Sequence, residues 1–166
     1  VHSRRRSRVA TWLCLTAWVC LAPCRAANAQ MAVDIVHAFP APGAIGPKAS
    51  LMEASDGNFY GVAEHGGPDD CGTIFRMTPS GSVTVIHAFD CIDGKGPFLP
   101  LVQASDGLLY GTAPGDSPIA FRTTLDGAFD VIHVFDTEYP STALVEGSDG
   151  NLYGGTSGGV VGGIFR

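Results

Sequence analysis

The heptapeptide Ser-Asp-Gly-Asn-Phe-Tyr-Gly at 55–61 returns as Ser-Asp-Gly-Leu-Leu-Tyr-Gly at 105–111 and as Ser-Asp-Gly-Asn-Leu-Tyr-Gly at 148–154. A chain that writes one turn three times builds one small unit three times, and a unit of that size cannot bury its apolar face alone. Other landmarks keep step with the turn. Val36-His37-Ala38-Phe39 is answered by Ile86-His87-Ala88-Phe89 and Ile132-His133-Val134-Phe135, with the histidines 50 and 46 residues apart. Ile74-Phe75-Arg76 is answered by Ala120-Phe121-Arg122 and Ile164-Phe165-Arg166 at spacings of 46 and 44.

Within one repeat the apolar segments are short, β-branched or aromatic, and punctuated by Gly, Pro, Asp and Ser, so they read as strands. Leu51 to Ala54, Phe59 to Ala63, Thr73 to Thr78 and Val83 to Phe89 form a four-stranded antiparallel meander, with Ser55-Asp56-Gly57 and Pro79-Ser80-Gly81 as turns. Asp-Gly supplies the positive φ that a tight hairpin needs. Asp56, Asp106 and Asp149 therefore read as turn formers. The class is all-β. Repeats lie at 51–89, 99–135 and 143–166, preceded by a lone strand at 33–39.

The first residues follow another logic. Arg4, Arg5, Arg6 and Arg8 precede an uncharged apolar run from Val9 to Ala22, and Ala27-Asn28-Ala29 offers small residues for cleavage. That is the form of a secretory signal over residues 1–29, its apolar run too short to span a bilayer. Leu21-Ala22-Pro23-Cys24 has the outline of a lipoprotein box with proline in the wrong place, and Arg4-Arg5 lacks the apolar residues that twin-arginine export wants next. Residues 30–166 remain as one domain, 137 residues long. Losing Arg25 with the other four arginines leaves five basic against sixteen acidic residues, a net charge of −11. A surface this acidic repels phosphate backbones and anionic lipids, so neither nucleic acid nor direct membrane binding is expected. The destination is the periplasm, the cell surface or the medium.

A repeat of 43 to 50 residues with four strands has the size of a β-propeller blade. Ser-Asp-Gly-Asn-Leu-Tyr-Gly, a Gly-rich loop, Gly72-Thr73-Ile74-Phe75-Arg76-Met77-Thr78-Pro79-Ser80-Gly81 and then Val85-Ile86-His87-Ala88-Phe89 together resemble the GloVer tandem repeat of secreted bacterial proteins, over nearly all of residues 30–166. The resemblance implies a β-propeller-like fold. It brings no catalytic or binding residue, because that family is described by its repeats, which number more than three in its members. One lone strand, two full meanders and three further strands make twelve here, and three blades are too few for a ring. The expectation is a fragment of a larger ring, or a piece that closes one by association, with an unpaired edge near Phe165 that invites self-association. A β-trefoil, also twelve strands in three repeats, is the alternative.

Candidate chemistry is sparse. Alternation places His87 on one face with Val83, Val85 and Phe89, so the histidines read as packing residues and not as metal ligands. Asp90-Cys91-Ile92-Asp93-Gly94 has calcium-loop composition but the wrong spacing. No nucleophile elbow, zinc-protease motif or phosphate loop is present, and no cofactor is implied. Tyr60, Tyr110 and Tyr153 read as packing between neighbouring blades with locally bonded hydroxyls; exposed, they would form a stacking ladder for sugars. Two functions stay open. One is a secreted non-catalytic module binding a protein or glycan through loops that vary between repeats, such as His65 to Cys71 and Gly111 to Pro118. The other is a propeller-based polysaccharide hydrolase or lyase of which this chain is a fragment.

Cys14, Cys20 and Cys24 leave with the signal, so Cys71 and Cys91 remain together in an oxidising compartment. If the hairpin between them is centred near Gly81, positions whose numbers sum to 162 face each other, which pairs these two as a disulfide. The alternative is two free thiols in mobile loops.

Overall fold

The computed structural model describes residues 35–39, 44–158 and 162–166. The segment 1–29 lies outside them. The described residues hold no helix and build three antiparallel sheets, none of them closed into a barrel. β1 (Ala44–Pro47), β2 (Met52–Glu53), β3 (Phe59–Gly66), β4 (Thr73–Met77) and β5 (Val83–Ala88) make the first. The second is β6 (Val102–Gln103), β7 (Leu109–Ala113), β8 (Ile119–Thr123) and β9 (Phe129–Val134), in chain order. The third contains β10 (Tyr139–Pro140), β11 (Val145–Glu146), β12 (Leu152–Ser157) and β13 (Gly163–Phe165). The expected meanders are present, each hairpin in its place. β1 and β10 were not foreseen: each pairs with the far end of its sheet's long inner strand, and their Gly- and Pro-containing sequences carry no strand signal.

Four letters of the repeated heptapeptide, its aspartate, tyrosine and two glycines, have a physical task. The glycine after aspartate sits at φ of 76°, 84° and 75° in the three turns, conformations that other residues adopt at a cost. The aspartate accepts the N–H two residues on and the hydroxyl of the tyrosine four residues on, at 2.9 Å for Tyr60, 2.8 Å for Tyr110 and 2.6 Å for Tyr153. The closing glycine lies opposite the phenylalanine of the next strand: Gly61 faces Phe75, Gly111 faces Phe121 and Gly154 faces Phe165. A Cβ at these glycines would stand 2.5 to 2.7 Å from the ring. The missing side chain is the seat of the ring.

The outermost strands of the first two sheets differ from the regular alternation expected of them. A bulge puts Ile74 opposite His87 but Phe75 opposite Val85, and likewise Ala120 opposite His133 but Phe121 opposite Val131. One extra residue reverses which side chains share a face. His87 and Phe89 therefore lie on the Ile74 side, away from Val83 and Val85, which lie on the Phe75 side. The expected grouping of His87 with the two valines is corrected by this bulge. One strand thus serves two neighbours, its first half facing the preceding repeat and its second half the following one.

Aromatic rings join the repeats. Phe89 reaches Phe121 of the second sheet at 5.6 Å and Phe135 reaches Phe165 of the third at 5.0 Å. Phe39 stands 5.1 Å from Phe75 in the same way. Of the lone strand expected at 33–39, residues 33 and 34 lie outside the described residues, and residues 35–39 join no ladder among the described residues; they lie where the outer strand of a preceding sheet would lie. A Cβ at Gly81 would meet Val36 just as one at Gly127 would meet the Ile86 carbonyl. The main core runs between the first two sheets, where Tyr60, Val62, Ile74, Phe89, Leu109 and Phe121 are buried together. Replacing Phe121 by alanine should cost about 3–5 kcal/mol, because the ring is wholly buried between Phe89 and Phe129. Urea unfolding read by circular dichroism measures it, and the half-buried Phe165→Ala should cost less.

Candidate functional site

Three loops on one side of the first two sheets are stitched together by the chain itself. Between β3 and β4, Asp70 takes a positive φ of 54° and its Oδ1 accepts the Gly66 N–H at 2.8 Å. Next to it Cys71 is joined to Cys91 as a disulfide, with Cα atoms 5.3 Å apart. The Cys71 carbonyl accepts the Gly96 N–H at 2.9 Å, and the Lys95 carbonyl accepts the Gly115 N–H at 3.0 Å. Lys95 Nζ then reaches Asp116 Oδ2 at 2.7 Å. One covalent bond, two backbone bonds and one ion pair thus connect the loop at 66–72, the segment at 90–98 and the loop at 114–117.

The pairing of the cysteines differs in detail from its derivation. The hairpin is centred at Ser80, so Met77 faces Val83, and the bulge adds one residue, so Thr73 faces Ala88. Asp90, and not Cys91, is then the residue opposite Cys71. Cys91 reaches across because it takes a positive φ of 69°. The adjoining turn is held by its own acids: Asp90 Oδ1 accepts the N–H groups of Ile92 and Asp93 at 2.9 Å, and Asp93 Oδ1 accepts that of Asp90 at 3.0 Å. Those backbone bonds hold the Asp90 carboxyl below the usual carboxylate range. Both carboxylates serve the turn.

The stitched loops enclose a cleft of about 380 Å³ lined by Glu64, His65, Asp70, Lys95, Phe98 and Pro114, with glycine backbone between them. Phe98 is 40 % exposed, a flat apolar face beside charged groups. Lys48 Nζ pairs with Glu64 Oε2, and His65 stands 3.8 Å from Glu64 Oε2 and 4.0 Å from Asp70 Oδ2. In an acidic chain this side of the sheets mixes both signs. The loops at 65–71 and 111–118 were foreseen as the variable ones. Their meeting with Lys95 and Phe98 was not, because no short-range pattern marks a segment that is held by backbone bonds to two distant loops.

The other sequence candidates are elsewhere. Tyr60 is wholly buried and also donates to the Leu125 carbonyl of the next repeat at 3.3 Å, so it offers no face to a sugar. Tyr110 and Tyr153 are half-buried with hydroxyls on Asp106 and Asp149. His37, His87 and His133 each pack edge-on against the phenylalanine two residues on, at 4.8, 4.9 and 4.6 Å. His87 also stacks on Phe129 at 3.9 Å, and its Nε2 stands 2.9 Å from Asp93 Oδ2 but out of line for a hydrogen bond. Among the described residues no group of three or more His, Cys, Asp or Glu is placed to hold a metal ion.

The Gloeobacter/Verrucomicrobia repeat matches residues 25–165. The chain belongs to this repeat family. No curated protein matches it. The matched residues include the whole frame just described, in which the Asp–Tyr turn, the glycine seat and the phenylalanine recur three times.

The Asp–Tyr pairs make stability depend on pH at both ends of the scale. Asp149 is held down to about 2 by hydrogen bonds from Tyr153 and Asn151, and Asp56 is lowered chiefly by the Asn58 side chain. Unfolded carboxylates bind more protons than these do below about pH 4, so stability falls as pH drops from about 4 towards 2. Tyr60 is pushed up to about 12, first by burial and then by its bond to Asp56. The folded protein keeps that proton where the unfolded chain loses it, so stability falls again as pH rises from about 10 towards 12. Urea midpoints measured across pH should show both limbs, and Tyr60→Phe should flatten the alkaline one while costing about 0.5–1.5 kcal/mol near neutrality. Cys91→Ser should cost about 3 kcal/mol, the effect of opening a loop of about 20 residues. In the folded, oxidised protein neither Cys71 nor Cys91 should react with an alkylating agent unless reductant is added, as intact mass will show.

Proposed function

We propose that this chain is an exported, non-catalytic repeat module whose sheets are blades of a β-propeller-like ring, and that it binds a glycan or protein through the cleft formed by its variable loops. One observation carries the reading: over strands that keep their register, three loops that differ between repeats are tied into a single cleft. Recognition usually resides in variable loops on a fixed frame. The half-exposed Phe98 supplies a stacking face, and Lys95, Glu64 and Asp70 supply donors and acceptors around it, a combination that suits a saccharide ring. The signal-like segment at 1–29 and the disulfide both fit an oxidising destination outside the cytoplasm. Open sheets, each laddered only within its own repeat, suit blades better than a trefoil.

A glycan array probed with the full chain, run beside a polysaccharide turnover screen, tests this. The expected outcome is binding without turnover, weakened at least tenfold by Phe98→Ala and by Lys95→Ala and left intact by Val145→Ala, an exposed position on the third sheet. Turnover, or binding indifferent to the two cleft variants, would overturn the proposal.

A further inference from the structure

Phe98 stands where the frame asks for nothing aromatic. In the first sheet Pro47 faces Ala63 and in the third Pro140 faces Thr156, positions three residues after the repeated tyrosines Tyr60 and Tyr153. Gly96-Pro97 occupies the same place before the second sheet, so Lys48, Phe98 and Ser141 are one position of the repeat, the residue after its proline. The other two copies are polar. Pro97 is buried while the ring of Phe98 stays half out of the core, so the exposed aromatic face is a property of this one repeat and not a demand of the fold.

The charges around that ring are already matched within the chain. Lys48 Nζ pairs with Glu64 Oε2, and Lys95 Nζ with Asp116 Oδ2 at 2.7 Å. Three carboxylates, those of Glu64, Asp70 and Asp116, thus face two ammonium groups, and both ammonium groups are engaged. His65 adds a positive charge only when protonated, and it then stands between Glu64 and Asp70. Asp70 uses Oδ1 on the Gly66 N–H, while its Oδ2 is 4.0 Å from His65 Nδ1, too far for a hydrogen bond. An ammonium group has three donors, so Lys95 retains two beside its bond to Asp116. An open acceptor, two open donors and an apolar ring are the complement of hydroxyls set around a C–H face.

We infer that the cleft takes uncharged hexopyranoses and rejects anionic ones, and that Glu64 and Asp116 set this selection by holding the two lysines. The inference rests on the cleft being a saccharide site. A ring with equatorial hydroxyls lays its C–H face on Phe98 and bonds Asp70 Oδ2 and Lys95 through its rim. A uronate or a sulfated sugar brings a negative charge among three carboxylates, and its anion must displace Asp116 to reach Lys95 in full. The acidity of residues 30–166, with five basic against sixteen acidic side chains, adds to the repulsion. Asp116 is then a specificity-determining residue that acts through Lys95, with its own side chain 87 % exposed.

The full chain is titrated calorimetrically with glucose hexamers in β-1,4, β-1,3 and α-1,4 linkage, and with the same hexamers oxidised at C6 to carboxylates. At least one uncharged hexamer should bind, and its oxidised form should bind at least tenfold more weakly at low ionic strength. Asp116→Asn, at a position too exposed to disturb the fold, should narrow that ratio by about threefold, the effect of one unit charge about 6 Å away in water. Salt at about 0.5 M should narrow it in the unmutated chain, because the discrimination is electrostatic. An oxidised hexamer that binds as well as its parent, or a ratio indifferent to Asp116→Asn, would overturn the inference and leave the saccharide reading standing. Binding of none of the hexamers would remove that reading and the inference with it.

Discussion

Each repeat depends on a phenylalanine ring lying where a side chain has been left out. The ring of Phe75, Phe121 or Phe165 rests on the glycine that follows the repeated tyrosine, and this lets the sheet present a flat aromatic surface to its predecessor. The preceding repeat answers with the phenylalanine at the end of its outer strand. Packing of this kind is short-ranged and steep: a methyl group at the glycine would lift the ring off its seat and off its neighbour. The bulge in the outer strand completes the device, because without it Phe89 would point back into its own repeat's preceding side. Glycine, bulge and ring pair are one mechanism.

That mechanism leaves the loops unconstrained. The ring-on-ring contacts between sheets do not involve residues 66–72 or 114–117, so these segments differ in length and chemistry without disturbing the register beneath them. The first repeat uses this freedom to carry a disulfide, and the aligned positions in the second are Ser117 and Thr137. A covalent tie there holds open a cleft whose other wall comes from the connection to the next repeat. The frame carries stability and the loops carry variety.

Much of this was legible in the sequence because it is local. Asp-Gly turns, short β-branched strands and the recurrence of Ile-His-Ala-Phe fix the meanders to within about three residues, and two cysteines at the mouth of one hairpin leave little else to pair with. What was not legible depends on a single residue or on distant segments. The bulge at Ile86 is one extra residue in an unbroken apolar strand, and it moves His87 to the other face while shifting the partner of Cys71 to Asp90. β1 and β10 form because the long inner strands offer them an edge, despite the proline in each. Phe98 and Lys95 join the cleft through backbone bonds between segments about 20 residues apart in sequence. Gln103 and Glu146 look like ordinary strand-end polar residues until their serine partners, more than 40 residues away, are in view.

The central claim is that neighbouring repeats are coupled through the ring of one against the ring of the next. A double-mutant cycle on Phe89→Leu and Phe121→Leu, read as unfolding free energy in urea, measures that coupling directly. A coupling energy of about 0.5–1.5 kcal/mol, beyond what each loss of area costs alone, is the predicted result. Strict additivity of the two changes would contradict it, and would mean that the repeats merely lie beside one another.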